Sequence, residues 1–381
     1  ITLKHMQSLP SVKDVSDLKG KRVLLRASLN VPTKDGVVQN QFRILRALPT
    51  IQYLKEQGAK VVLIAHIGRD PNETLKPVYD VLNTLCETKW VGALTGEEVL
   101  QAVNELADGQ VVMLENVRSD AREKDNDAEF SATLASYADV YVNDAFSDSH
   151  RSHASLTGVA GLLPGYFGFN FLNEYNELSK AMEPEQPALF ILGGAKFDTK
   201  MPLVEKYTET YSTVLIAGAL ANDIYKARGL SVGKSLVSEV DLSDSPLLEK
   251  DNVLVPVDVT TEGPEGSRVT SPDDVHNDES ILDAGPATIE MMSGLIKEAK
   301  TILWNGPLGG YEQGFIKETE ALAKAIAASD AYTIVGGGDT VAAIESVSLQ
   351  DHFDFLSTAG GAMLTFLEHG TLPAIEAITK K

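Results

Sequence analysis

The chain has 381 residues, which at about 150 per domain suggests two or three domains and a core large enough to fold without staples. Hydrophobic residues make up 43% and charged residues 23%, the balance of a globular protein, and a single cysteine, Cys86, excludes an intramolecular disulfide framework and any multi-cysteine zinc or iron–sulfur site. The formal charge of −21 argues against nucleic acid or an anionic membrane as the main partner, because both require a basic surface. The first twenty residues hold no apolar signal-peptide core, no apolar run approaches a membrane span, and one cysteine suits a reducing, cytoplasmic home. The missing initiator methionine reads as numbering that begins inside a longer or processed chain.

Short β-branched and apolar runs predict strands near 21–26, 60–65, 110–115, 138–143, 188–193, 212–217, 252–257, 300–304, 331–335 and 353–357. Between most of them the spacing is helical, as over 42–57, where Pro49 predicts a kink, and over 316–328. Runs this short and apolar on both faces fit parallel strands covered by helices on both sides, an α/β architecture with right-handed crossovers. Ten strands are too many for one open sheet. The place to divide them is 169–186, where apolar Phe171, Leu172, Tyr175, Leu178 and Met182 predict a helix that Glu183-Pro184-Glu185-Gln186-Pro187 ends. The expectation is two similar-sized Rossmann-like domains, 1–169 and 186–365, each with a mainly parallel sheet flanked by helices, joined by an interdomain helix and hinge over 170–185. The Gly- and Pro-containing stretch 263–272 is expected to be an exposed loop.

Ligands of open parallel sheets sit outside the carboxyl ends of the strands. The first predicted strand ends in Arg26-Ala27-Ser28-Leu29-Asn30, the second in His66-Ile67-Gly68-Arg69 and the third in Glu115-Asn116-Val117-Arg118. The fourth runs through Asn143-Asp144 to His150-Arg151-Ser152-His153, and Arg43 lies early in the first crossover. An acidic chain thus aims five arginines and three histidines at one rim. Any one arginine alone would be an ordinary surface ion pair, but their repetition at strand ends points to a small anionic, phosphorylated substrate, which the planar guanidinium fork suits.

The second half carries glycines and lysines. The fifth strand ends in Gly193-Gly194-Ala195-Lys196, and a helix starting there would place Lys196 and Lys200 on one face. The eighth ends in Trp304-Asn305-Gly306-Pro307-Leu308-Gly309-Gly310, the ninth in Gly336-Gly337-Gly338-Asp339-Thr340 and the tenth in Ser357-Thr358-Ala359-Gly360-Gly361. A Gly-rich turn before a helix is an anion site by geometry, and Asp339 suits either a cap or Mg²⁺. Two patterns are decoys. Gly229 to Ser235 is one residue short of a P-loop and follows no clear strand, and Val341 stands where a dinucleotide fingerprint needs its third glycine.

The stretches Arg26 to Pro32, His66 to Arg69, Asn143 to His153, Gly193 to Lys200, Trp304 to Glu312, Gly336 to Thr340 and Ser357 to Gly361 together resemble the phosphoglycerate kinase family, over essentially the whole chain. The resemblance implies a two-domain, usually monomeric glycolytic enzyme that moves a phosphoryl group between 1,3-bisphosphoglycerate and ADP, giving 3-phosphoglycerate and Mg-ATP. It implies a phosphoglycerate-binding N-terminal domain, a nucleotide-binding C-terminal domain, and a C-terminal segment, 366–381, that returns to the N-terminal domain. It places Asn30, Arg43, His66, Arg69, Arg118 and Arg151, with Ser28, on phosphoglycerate. Arg43 and Lys200, with Lys196, are implied to meet the transferring phosphoryl group. Gly194, Gly218, Asn305, Pro307 and Glu312 match the nucleoside pocket, Gly338 and Thr340 the phosphate turn, and Asp339 the metal-associated acid. Transfer needs contact of about 3–3.5 Å, so the two clusters are expected to close over their ligands.

The chain departs from the family pattern at four places. Ser28 stands where the family has an Asp that contacts substrate, so phosphoglycerate binding is expected to be weakened and Ser28→Asp to tighten it about tenfold. Ala217 and Ala359 replace glycines and are expected to narrow the adenine pocket or phosphate turn. Thr199 displaces the acid between the lysines, and Ser147-Asp148-Ser149 replaces a Gly-containing stretch. Two rival readings are a catalytically weakened binding homologue and a nicotinamide-dependent dehydrogenase, the latter opposed by the failed fingerprint.

Overall fold

Apolar parallel strands build the centre of each half in the computed structural model, which describes residues 8–195 and 200–380. The chain divides into two units. One runs to Asn176 and takes in the chain again from His369; the other spans Glu177–Glu368.

The first unit contains β1 (Arg22–Ala27), the small hairpin β2 (Thr33–Lys34) and β3 (Val37–Val38), β4 (Lys60–Ile64), β5 (Lys89–Trp90), β6 (Val111–Met113), β7 (Val140–Asp144) and β8 (Gly165–Phe167). Its helices are α1 (Phe42–Glu56), α2 (Lys76–Leu85), α3 (Glu97–Asn104), α4 (Ala128–Ala135), α5 (Val159–Leu162) and the start of α6 (Phe169–Met182). Six strands form one parallel sheet in the order β5-β6-β4-β1-β7-β8. Leu24 and Leu25 on β1, and Val61 to Ile64 on β4, are fully buried, because helices cover both faces. Burying each such side chain contributes about 1.5–3 kcal/mol. Asn40 starts α1 by accepting from Phe42 N at 2.7 Å, and Asp127 starts α4 by accepting from Phe130 N at 2.8 Å. Pro49 lies inside α1. Asp144, at the end of β7, accepts from Phe171 N at 3.0 Å and so ties the start of α6 to the sheet edge.

The second unit contains β9 (Ala188–Leu192), β10 (Thr213–Ile216), β11 (Val253–Leu254), β12 (Val259–Gly263), β13 (Gly266–Thr270), β14 (Ser280–Ala284), β15 (Thr301–Asn305), β16 (Tyr332–Gly336) and β17 (Phe355–Leu356). Its helices, after α6, are α7 (Met201–Thr208), α8 (Ala219–Ala227), α9 (Pro286–Glu298), α10 (Lys317–Ala327), α11 (Gly338–Ser346) and α12 (Gly361–His369). The main sheet is again six-stranded and parallel, β11-β10-β9-β15-β16-β17, and Trp304, fully buried on β15, fills its core. The boundary between the units falls within α6.

One expectation is corrected. The stretch 263–272 is not a loop: Gly263 closes β12 and Gly266–Thr270 is β13, antiparallel to it, in a three-stranded sheet completed by β14. The first described helix after the Gly193-Gly194 turn is α7, which starts at Met201 with Pro202 in its first turn, so Lys200 precedes it; Lys196 lies outside the described residues. The 229–235 decoy follows helix α8, as its rejection required. The last helix, α13 (Pro373–Thr379), belongs to the first unit, where it packs on α5 and β8. Among the described residues no helix is long and apolar enough to cross a membrane.

Candidate active site

Parallel register brings the ends of β1, β4 and β7 to one edge: Arg26 lies opposite Ile64 on one side and Asn143 on the other. The chain therefore leaves the sheet together at Ser28, His66 and the 145–153 segment. Arg26 is almost wholly buried. Its Nε donates to Ser155 Oγ at 3.0 Å, an Nη donates to Ala27 O at 2.6 Å, and the other Nη lies 3.0 Å from His66 Nδ1. Ser155 in turn donates to the buried Glu123 carboxylate, from Oγ at 2.6 Å and from N at 2.9 Å. Asn30 Oδ1 accepts from Gly68 N at 2.9 Å while an Arg118 Nη donates to Gly68 O at 2.5 Å, so both hold the same turn. Asn116 fixes the other side of that turn by bonding both N and O of Ile67.

Asp148 is the centre of this cluster. It is 3% exposed; Oδ1 lies 2.6 Å from Arg151 Nη1, and Oδ2 lies 3.2 Å from His66 Nδ1 and 3.5 Å from Arg26 Nη2. Burial alone would raise its carboxyl, but His66, Arg26 and Arg151 outweigh burial and hold it well below the usual carboxylate range. Burial lowers Arg43 and Arg118, and the Asp148 charge opposes it at both. Burial also lowers His66 and His150, and it pushes His153 down to about 4 with Arg118 and Arg151 adding to the effect. The histidines are thus neutral at pH 7, and the positive charge of the cluster comes from arginine.

At the corresponding edge of the second sheet, Asn305 lies opposite both Leu192 and Gly336, so the turns at Gly193, Gly306 and Gly337 stack side by side. They touch through backbone. A Cβ on Gly193 would overlap the Pro307 carbonyl, and one on Gly306, at φ 92°, would sit 2.5 Å from Gly193 O. Close packing therefore explains these two glycines, whereas Gly338 has open space around it. The turns wall a pocket of about 440 Å³ in which Gly194, Gly218, Pro307, Glu312 and Asp339 meet apolar Tyr225, Leu236 and Leu308. Lys200 Nζ donates to Gly193 O at 2.7 Å, and burial pushes it down to about 8. Gly306 N donates to Thr340 Oγ1 at 2.9 Å, which ties the first turn of α11 to β15.

The structure thus brings Arg26, Arg43, His66, Arg118 and Arg151 into one electrostatic cluster, with Asn30 beside it. Arg69 is exposed, and its backbone N points at Glu73 Oε1, 3.4 Å away. Ser28 is buried and shares a 2.8 Å hydrogen bond with Ser147 Oγ. Asn305 is buried behind the pocket against Met363 Sδ, and Thr340 is fully buried. Lys196 and Thr199 lie outside the described residues. Ala217 does not narrow the pocket: it is fully buried in the apolar core of the second unit, and neither it nor Ala359 lines the pocket. Asp148 was legible only as a departure from a pattern, and the pocket walls Tyr225, Leu236 and Asp283 carried no sequence signal at all. Burial pushes Asp283 up to about 7.

Stacked glycine turns over parallel strand ends, and arginines gathered about the Asp148 carboxylate, suit ligands that carry phosphate; the class is a two-unit α/β phosphotransferase. A family model described as phosphoglycerate kinase matches residues 12–370. A phosphoglycerate kinase of Fervidobacterium nodosum is 42% identical over 97% of this chain and 98% of its own, and one of Methylobacterium radiotolerans is 40% identical over 99% and 100%. Among solved structures, a phosphoglycerate kinase from Coxiella burnetii superposes with a TM-score of 0.85 at 37% identity, covering 98% of this chain and 99% of that one. One from Pyrococcus horikoshii OT3 gives 0.83 at 30% identity, covering 97% and 98%. The chain belongs to the phosphoglycerate kinase family, and the reaction is the family's reversible phosphoryl transfer between 1,3-bisphosphoglycerate and ADP. Neither the dehydrogenase nor the weakened binding homologue gains any support from these likenesses.

Proposed function

We propose that the first unit binds phosphoglycerate through Asn30, Arg43, His66, Arg69, Arg118 and Arg151, and that the second binds nucleotide in the 440 Å³ pocket. The observation that carries this division is the gathering of cationic and histidine side chains, Arg26, Arg151 and His66, around Asp148 at the first sheet's edge, apart from the glycine-walled pocket of the second unit. The acceptor carboxylate of 3-phosphoglycerate is already ionised at pH 7, so the reaction needs no general base. Catalysis then rests on positioning and on cations, with Arg43 from one unit and Lys200 from the other meeting the transferring phosphoryl group. Each turnover requires the two units to bring their bound ligands to about 3–3.5 Å, which is a closing motion of the hinge.

Mg²⁺ commonly uses one or two carboxylates and takes its other ligands from substrate phosphates and water. Among the described residues no cluster of three or more acidic, His or Cys ligands could hold a metal, but Asp339 suits the substrate-borne arrangement. It lines the pocket, it is exposed, and no described residue bonds its carboxylate. Asp339 would hold the ion, whose charge would neutralise the nucleotide phosphates. Lys196, as a second phosphate lysine, rests on the family resemblance. A monomer in the cytoplasm is the companion reading, supported by the family's glycolytic reaction and by the lone Cys86, which is buried as a free thiol. The test is a coupled assay of purified protein with 3-phosphoglycerate, Mg²⁺ and ATP, with solution scattering on the ligand-bound and free protein. ATP-dependent turnover and compaction with both ligands are expected; no turnover would overturn the assignment.

A further inference from the structure

Asp148 occupies a place that the proposed mechanism leaves without a role. It is a buried carboxylate set among the arginines that should receive an anionic substrate. Its Oδ1 takes Arg151 Nη1 at 2.6 Å, and its Oδ2 faces His66 Nδ1 at 3.2 Å and Arg26 Nη2 at 3.5 Å. Arg43 and Arg118 also feel its charge. The two arginines paired with it differ. Arg26 is 1% exposed and already donates to Ser155 and to Ala27 O, so it belongs to the scaffold. The Arg151 side chain is 38% exposed, and Asp148 is its only ion-pair partner among the described residues. Arg151 thus faces solvent with one side and Asp148 with the other.

We propose that Asp148 is a built-in counter-anion of the substrate cluster, a specificity-determining residue that competes with the anionic group of phosphoglycerate for Arg151 and so sets that affinity. The proposal rests on the assignment of the cluster to phosphoglycerate. Two effects of the carboxylate oppose each other. It holds Arg151 and His66 in place without substrate, which favours binding, and it cancels one positive charge at the anion position, which disfavours it. The second is the larger. Arg26 and His66 keep neighbours without Asp148, whereas an interior charge acts on a multiply charged ligand across several ångströms with little screening. The fixed anion also makes the cluster discriminate. A ligand that can offer Arg151 only one weak acceptor cannot displace a charge-assisted bond already made there.

The test is Asp148→Asn, which keeps the shape and removes the charge, with steady-state kinetics varying 3-phosphoglycerate and Mg-ATP in turn and inorganic sulfate as a competing anion. KM for 3-phosphoglycerate and the sulfate inhibition constant should each fall about tenfold, while KM for ATP stays within twofold. A KM for 3-phosphoglycerate that is unchanged or higher overturns the proposal. Asp148→Glu keeps the charge and pushes it further toward the substrate, so KM for 3-phosphoglycerate should rise; an unchanged value in a folded protein counts equally against the idea. This variant carries the test alone if the uncompensated cations keep Asp148→Asn from folding. Arg151→Ala separates the two layers of argument. If it leaves 3-phosphoglycerate binding intact, the assignment of the cluster fails. If it weakens binding while Asp148→Asn does not tighten it, only the counter-anion is lost.

Discussion

The Lys200 ammonium donates to the carbonyl oxygen of Gly193 across 2.7 Å, so this charge rests on the very turn that walls the 440 Å³ pocket proposed for nucleotide. It is held ready without being spent on a carboxylate, and it can turn to charge that develops on a phosphoryl group. Lys200→Ala should lower kcat by about 10²–10³, the usual loss for one electrostatic donor, with far less change in nucleotide Kd. Because burial works against the charge, the melting temperature should not fall. A kcat near that of the parent protein would remove Lys200 from the mechanism.

Burial pushes Lys200 down to about 8, so its charge is lost as pH rises through that value. The nucleotide kcat/KM should decline on the alkaline side with a midpoint near 8. Lys200→Arg, which stays protonated, should abolish that limb even if its maximum is lower. A limb that persists in the arginine variant belongs to another group.

His153 is pushed down to about 4 by burial and by Arg118 and Arg151. Its unfolded value is about 6.5, so the unfolded chain binds the extra proton between these values, and stability is lost as pH falls from about 6.5 towards 4. Relative to His153→Gln, the parent protein should lose up to about 1.4 kcal/mol per pH unit across that window. Urea unfolding of both proteins from pH 7 to 4.5 measures the difference; parallel curves would mean that His153 does not titrate there.

The surroundings of Ser28 reverse an expectation. From its sequence position, a carboxylate there should strengthen phosphoglycerate binding. Ser28 is 2% exposed and its hydroxyl bonds Ser147, whose neighbour Asp148 already supplies a buried negative charge. A second carboxylate would face both that charge and the substrate's. Ser28→Asp should therefore weaken 3-phosphoglycerate binding by about tenfold, or ~1.4 kcal/mol, and leave nucleotide affinity alone. Tighter binding would show that the cluster has cationic capacity to spare.

Ile378, 5% exposed on α13, packs against Gly165, where a Cβ would come within 2.9 Å of it. Ile378→Ala should cost about 2–5 kcal/mol. The loss should appear as faster hydrogen exchange in the strands of the first unit, with β9 and β15 of the second unaffected.

Sheet cores were the legible part. Runs such as Val61 to Ile64 are apolar on both faces because both faces are buried, and that burial is what a continuous run records. The β12–β13 hairpin was missed for the opposite reason. Glu262, Ser267 and Val269 are exposed and Thr260, Arg268 and Thr270 half-buried, so no continuous apolar run marks it, and Gly263 and Gly266 read as loop. The start of α7 had a usable signal in Pro202, outweighed by the glycines before it. Arginines at strand ends could be found because each ends a run. The role of Asp148 could not, because its partners Arg26 and His66 come from strands that only the folded sheet makes neighbours.

Helix α13 also bonds the segment that follows β7 directly, with Ala374 N donating to Ser149 O at 3.2 Å, one residue from Asp148. The first unit is thus built from both ends of the chain. On the ribosome its sheet emerges early, yet the helix that braces it is made only after the whole second unit. The second unit, continuous in sequence, can be complete while the first still lacks its brace. A nascent chain cut short before α13 should therefore hold nucleotide before it can hold phosphoglycerate firmly.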